Sequence, residues 1–158
     1  MIARGNRLRV AVGTAAPVQL NFKGIVGSKT GALLPTGKVI ENIQGVEVSL
    51  VDAATPIVLI RAKDMGLSSN QSRDAVNANT ALFARVEAIR LEAGLRMGLG
   101  EVSEKVIPKV GLLDTPINGC DIRSIYLTPW RAHAAQAVTG ALCVAAASAI
   151  DGTIADSR

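Results

Sequence analysis

Thr139-Gly140-Ala141-Leu142-Cys143-Val144-Ala145-Ala146-Ala147-Ser148-Ala149-Ile150 carries no charge, and its side chains are mostly methyl groups. The stretch predicts a helix without a polar face, which other parts of the protein must surround. Small residues suit a place where backbones approach closely. A curved, barrel-like sheet wrapped around a central Ala-rich helix meets both demands, so the expected fold class is α+β. Residues 132–150 together approach membrane-spanning length. The polar residues His133, Gln136, Thr139, Gly140 and Ser148, and the abundance of alanine, favour a buried helix instead.

Outward from that helix, the first half of the chain reads as strands. Residues 7–14 and 18–25 alternate apolar and polar side chains, separated by Ala15-Ala16-Pro17. A loop, Gly27-Ser28-Lys29-Thr30-Gly31, follows. Strands are expected at 38–43 and 46–51, with Gln44-Gly45 as the turn, and a fully buried strand at 57–61. The pattern changes at Val76. Asn79 or Thr80 can cap a helix whose Leu82, Val86, Ile89 and Ala93 share one face. Glu92 and Arg96 form an i, i+4 pair outside it, and Gly98 and Gly100 end it. Short strands are expected at 109–113 and 121–127. These segments are too few for a doubly wound parallel sheet, and no βαβ rhythm is visible.

Composition narrows the function classes. With 158 residues and 49% hydrophobic content, the chain suits one domain with a real core. The net charge of +4 raises the question of nucleic acid. However, the basic residues are scattered apart from Arg4, Arg7 and Arg9, and no aromatics alternate with them to stack on bases. No nucleic-acid or membrane partner is expected. Cys120 and Cys143 lie far apart with no CxxC pair and no secretory h-region, which points to a reducing, cytoplasmic setting. One histidine and two distant cysteines cannot make a zinc site, so no metal is expected. Ser28 interrupts any phosphate-loop order, and the glycines at 94, 98 and 100 form no dinucleotide fingerprint.

Several motifs in order resemble the PrpF family. They are Thr30-Gly31-Ala32-Leu33-Leu34-Pro35-Thr36-Gly37 and Val46-Glu47-Val48-Ser49-Leu50-Val51-Asp52-Ala53-Ala54-Thr55-Pro56. Val76-Asn77-Ala78-Asn79, Arg96-Met97-Gly98-Leu99 and Ala137-Val138-Thr139-Gly140-Ala141 continue the series. That family includes 2-methylaconitate cis–trans isomerase and 4-oxalomesaconate tautomerase. The resemblance implies a diaminopimelate epimerase-like fold of two lobes, each a curved sheet around a helix, with the active site between them. It implies that residues 1–158 are a C-terminal-type lobe. The N-terminal lobe, absent here, would carry the lysine and the Gly-Asn-Cys-Gly cysteine that move protons. It further implies a cofactor-independent allylic proton shift on an unsaturated tricarboxylate, with an N-terminal-lobe partner or a homo-oligomer completing the site.

On this reading the catalytic residues lie outside the chain, and four residues hold substrate. Thr139 and Gly140 open the helix, where free N–H groups and the dipole attract a carboxylate. Thr139 can equally be a plain N-cap. His133, at the family's histidine position, either meets a carboxylate and moves a proton or is structural. Arg131 either pairs with a second carboxylate or is a solvated surface cation. Ala137 stands where diaminopimelate epimerase has its second thiol, and Cys143 lies in an apolar run, so two-thiol chemistry is disfavoured. The competing class is a non-catalytic binding or structural domain that keeps the scaffold.

Overall fold

The computed structural model describes residues 19–69, 71–116 and 119–156. The expected strand at 7–14 and the arginine cluster at 4–9 lie outside them. Five strands, β1 (Glu41–Ile43), β2 (Val46–Asp52), β3 (Pro56–Arg61), β4 (Lys109–Asp114) and β5 (Arg123–Leu127), form one sheet in that order. The hairpin from β1 to β2 turns on Gln44 and Gly45, both at positive φ (55° and 78°). That conformation matches the twist of neighbouring strands. The next hairpin places Asp52 opposite Pro56 across the loop 53–55.

β3 and β4 run parallel, whereas the other neighbours are antiparallel. Their crossover holds a 3-10 turn (Ala62–Met65), α1 (Arg73–Ala78) and α2 (Thr80–Arg96). One βαβ-type connection therefore exists where none was expected. Its helical part is split in two and followed by a loop, so no repeating rhythm marks it in the sequence. Asn79 caps α2 by accepting from the Leu82 N–H at 2.9 Å. The predicted stripe Leu82, Val86, Ile89 and Ala93 is buried.

Two apolar clusters flank the sheet. Val48, Leu50, Val58, Ile60 and Leu112 pack with α2 on one face. Val51, Ile57, Leu59 and Tyr126 pack with α3 (Val138–Ser148) on the other. This is why β3 is buried from Pro56 to Ile60.

Two expectations need correction. Among the described residues, 19–25 form no strand; only an isolated bridge joins Val26 to Ala53. Nor, among the described residues, does the sheet enclose α3. Gly140, Cys143, Val144 and Ala147 face it, while Val138, Ala141, Ala145 and Ala149 are exposed. The physical reason lies in the side chains. Except for Val138, the outer face shows single methyl groups, each with little apolar area to hide, so an all-apolar sequence does not require burial on every side.

Candidate functional site

The amino end of α3 carries no side-chain cap. Its N-cap residue is Ala137, and the first helical bond runs from the Ala141 N–H to the Ala137 carbonyl at 2.8 Å. The N–H groups of Val138, Thr139 and Gly140 precede that bond, where a helix leaves its donors unpaired. Thr139 is the second residue of the helix and half-buried, so it is not the cap. Gly140 is buried. A Cβ there would lie 2.4 Å from Cε2 of Tyr126, so the absence of a side chain lets the helix rest on that ring.

His133 sits beside the same tyrosine. Its N–H donates to the Tyr126 carbonyl at 2.8 Å, extending the outer edge of β5. Its ring meets the Tyr126 ring edge-on, with centroids 6.4 Å apart. Nδ1 lies 2.6 Å from the Ala135 carbonyl, which accepts when Nδ1 is protonated. No described residue bonds Nε2. Together with Gln136, His133 lines a cavity that reaches the foot of α3.

Arg131 is placed elsewhere. It belongs to a turn closed by the Thr128 N–H donating to the Arg131 carbonyl at 2.8 Å. Asn77 of α1 accepts from the Ala132 N–H at 2.8 Å and draws this turn toward α1. The side chain lines a separate, open depression with Asp74, Asn77 and Trp130. The structure thus brings Gly140 and His133 to Tyr126, with Thr139 next to Gly140 in α3, and places Arg131 in a different depression.

Cys143 lies on the sheet-facing side of α3, with its Sγ 3.4 Å from the Ala53 backbone nitrogen and 3.5 Å from the Val51 carbonyl. Burial pushes its thiol up to about 12, the Ala53 N–H opposes this, and the Asp52 charge adds to it. Such a thiol is inert near neutrality, as its apolar setting implied. Iodoacetamide at pH 8 should therefore label the exposed Cys120 in the folded protein and reach Cys143 only in denaturant. The same shift links stability to pH. The folded state holds this proton more tightly than the unfolded chain, whose thiol titrates near 9. Its contribution is therefore intact below about pH 9 and lost as pH rises toward 12, with a limiting slope of about 1.4 kcal/mol per pH unit. Between pH 9 and 10 that slope should vanish in Cys143→Ala. Equal slopes in both proteins would refute the linkage.

Two buried polar groups near this face escaped notice in the sequence. Asp52, fully buried, accepts from the Ser28 hydroxyl (2.9 Å), the Lys29 N–H (2.7 Å), and the Thr30 N–H and hydroxyl (2.9 and 3.0 Å). It fixes the glycine-rich loop beside Ala53, against which Cys143 packs. Tyr126 is the other: it forms the floor under both Gly140 and His133. Their sequence signals were faint, an acid ending a β-branched strand and a lone tyrosine in a chain poor in aromatics. Among the described residues, no group of three or more His, Cys, Asp or Glu side chains is placed to hold a metal ion. No helix among them is long and apolar enough to cross a membrane.

Residues 5–157 match the PrpF protein family. This chain belongs to the PrpF family. Among curated relatives, the 4-oxalomesaconate tautomerase of Pseudomonas putida is 40% identical over 153 residues, covering 97% of this chain and 42% of the relative. The (4E)-oxalomesaconate Δ-isomerase of a Novosphingobium species is 41% identical, covering 89% of this chain and 40% of the relative. A crystal structure of methylitaconate-Δ-isomerase superposes with a TM-score of 0.88 at 26% identity, covering 96% of this chain and 45% of that one. The chain therefore spans less than half the length of the PrpF relatives it matches. The family read from the motifs is the family found, and its named relatives are isomerases of unsaturated carboxylates.

Proposed function

We propose that this chain is the substrate-carboxylate-binding lobe of a PrpF isomerase with a diaminopimelate epimerase-like fold. The reaction is an allylic proton shift on an unsaturated tricarboxylate such as 2-methylaconitate or 4-oxalomesaconate. The observation that carries this reading is the family match over residues 5–157, joined to relatives that are tautomerases and Δ-isomerases. The uncapped tip of α3 supplies a matching chemistry. Its free N–H groups and positive dipole end seat a carboxylate, and the Thr139 hydroxyl adds a further donor.

In such a shift a base removes a proton from the carbon next to the double bond. The electron pair spreads through the conjugated carboxylate, and an acid returns a proton at the far end of the allyl unit. Backbone donors at the carboxylate stabilise the charge that builds up there. The acid and base come from polypeptide beyond this lobe, for the Cys143 thiol is too weakly acidic and Ala137 cannot carry a proton. Among the described residues, His133 at the edge of the cavity is the group placed to pass a proton to or from that acid and base. Arg131 serves at most a carboxylate arm that extends toward α1.

Titration with cis-aconitate, an unsaturated tricarboxylate, followed by backbone amide NMR tests the seat. Val138, Thr139 and Gly140 amides should shift, and Thr139→Val should weaken binding several-fold. A folded protein whose α3 amides stay still would overturn the reading. Turnover is tested by adding the remaining half of a PrpF isomerase as a separate polypeptide and following double-bond migration by ultraviolet absorbance. A second reading, a binding domain without catalysis, draws on the absence of an acidic thiol at the seat. Binding that persists without turnover in the assembled mixture favours it.

A further inference from the structure

The cavity between α1 and β5 has features that the α3 seat does not use. Among the described residues, four buried side-chain oxygens have no hydrogen-bond partner, and two of them, Gln71 Oε1 and Ser124 Oγ, belong to residues that line this one cavity. Buried polar atoms are normally paired, so two orphans on residues around one space point to a missing partner, reached by a small turn of each side chain. Arg73 is the only cation among the described residues lining it, and none of those residues is acidic. Its contact with a protein charge is loose: Nε lies 3.7 Å from Asp74, which is itself 89% exposed. The guanidinium is thus available to an anion.

Size limits the occupant. The cavity measures about 210 Å³. That is far above the ~10–15 Å³ one water needs and below the ~300–1,000 Å³ of cofactor-sized sites. A small organic acid fits this range. The cavity also runs toward α3: Tyr126 forms part of its wall and lies under Gly140, and Gln136 borders it one residue before the N-cap Ala137.

We propose that this cavity is a second carboxylate subsite, in which Arg73 pairs with one carboxylate of a polycarboxylate whose other carboxylate sits at the tip of α3. The inference rests on the α3 seat proposed above and adds the residues that select a polycarboxylate over a monocarboxylate. The Ser124 hydroxyl donates to the bound oxygen, and the Gln71 amide, turned by 180°, presents its NH2 group. The Arg73 fork gives the bidentate geometry a carboxylate favours.

The test compares two probes on the whole chain, cis-aconitate and propionate, by amide NMR titration of wild type, Arg73→Ala, Arg73→Lys and Ser124→Ala. Arg73 is half-exposed on α1, so its replacement leaves the fold intact, and the unliganded spectra verify this. Arg73→Ala should weaken cis-aconitate about tenfold or more, with Arg73→Lys recovering part of the loss. Propionate, which fills only the α3 seat, should shift the Thr139 and Gly140 amides equally in wild type and Arg73→Ala. Unchanged cis-aconitate affinity in Arg73→Ala would overturn the subsite and leave the α3 seat standing. Amides of α3 that ignore both probes in wild type would instead remove the seat, and with it this proposal.

Discussion

Arg90→Ala is expected to destabilise the protein by about 3–5 kcal/mol, a loss that urea unfolding would register as a lower midpoint with an unchanged slope. Arg90 is completely buried in α2. Its Nε and Nη2 donate to the two oxygens of Glu87, each at 2.7 Å. Nη2 also reaches the Val102 carbonyl at 3.0 Å, while Nη1 donates to the carbonyls of Lys105 and Ile107 at 3.1 and 3.2 Å. The guanidinium lies 5.9 Å from the centre of the Trp130 ring, within cation–π range. One side chain therefore ties the loop between α2 and β4 to the helix. Removing it strands the Glu87 carboxylate and frees three carbonyls at once, which is why the cost exceeds that of a surface ion pair. Arg90→Lys should recover little, because an ammonium cannot form the fork. A loss below about 1 kcal/mol in Arg90→Ala would show that the loop holds itself.

Asp52→Ala should cost about 3 kcal/mol or more, since four donors lose a buried carboxylate and hydrogen bonds to charged groups are worth about 1.5–3 kcal/mol each without adding fully. Asp52→Asn keeps the shape, but its NH2 group must face donors, so about 2 kcal/mol of that loss should remain. The local consequence is more diagnostic than the total. Amide exchange at Lys29 and Thr30, whose N–H groups bond Asp52, should accelerate in both variants well beyond that of the α2 core. Protection at Lys29 and Thr30 that matches wild type would mean the loop is held by its own turns, such as the Gly31 N–H to Gly27 carbonyl bond at 2.9 Å. The loop lies against the α3 side of the sheet, because the Gly27 N–H bonds the Asp52 carbonyl and Val26 bridges Ala53. Its release would therefore also loosen the support beneath Cys143.

The extent of sequence legibility follows from these same residues. The α2 stripe was readable because four apolar side chains recur at helical spacing. Arg90 falls four residues after Val86, inside that stripe, and was not singled out; a charge at that spacing is the one signal that could have marked it. What the charge bonded could not be seen, because the Val102, Lys105 and Ile107 carbonyls belong to a loop without pattern. The hairpin at Gln44-Gly45 was legible from local turn chemistry. By contrast, the alternation of residues 18–25 resembled a strand, yet a strand also needs a neighbour to complete its hydrogen bonds, and among the described residues from 19 to 26 only Val26 forms a bridge, to Ala53.

The candidate site divides in the same way. Thr139 and Gly140 could be singled out from the motif, and His133 from its position ahead of it. Arg73, Ser124 and Gln71 could not, since 50 residues of chain lie between Arg73 and Ser124 and neither belongs to a recognisable pattern. Arg131 and His133 are near neighbours in sequence, but the turn at 128–131 directs them to different depressions.

By itself, then, the sequence determined the periodic elements, the apolar character of α3, the turn at Gln44-Gly45 and, through ordered motifs, the family. Each of those is encoded over a few adjacent residues, by spacing or by backbone preference. Only the tertiary structure decided that β3 and β4 lie parallel, that α3 rests on one face of the sheet over Tyr126, and that Arg73 and Ser124 share a cavity. Those are contacts between segments distant along the chain, and they form where burial, chain connectivity and hydrogen-bond pairing are satisfied together, which no local pattern records.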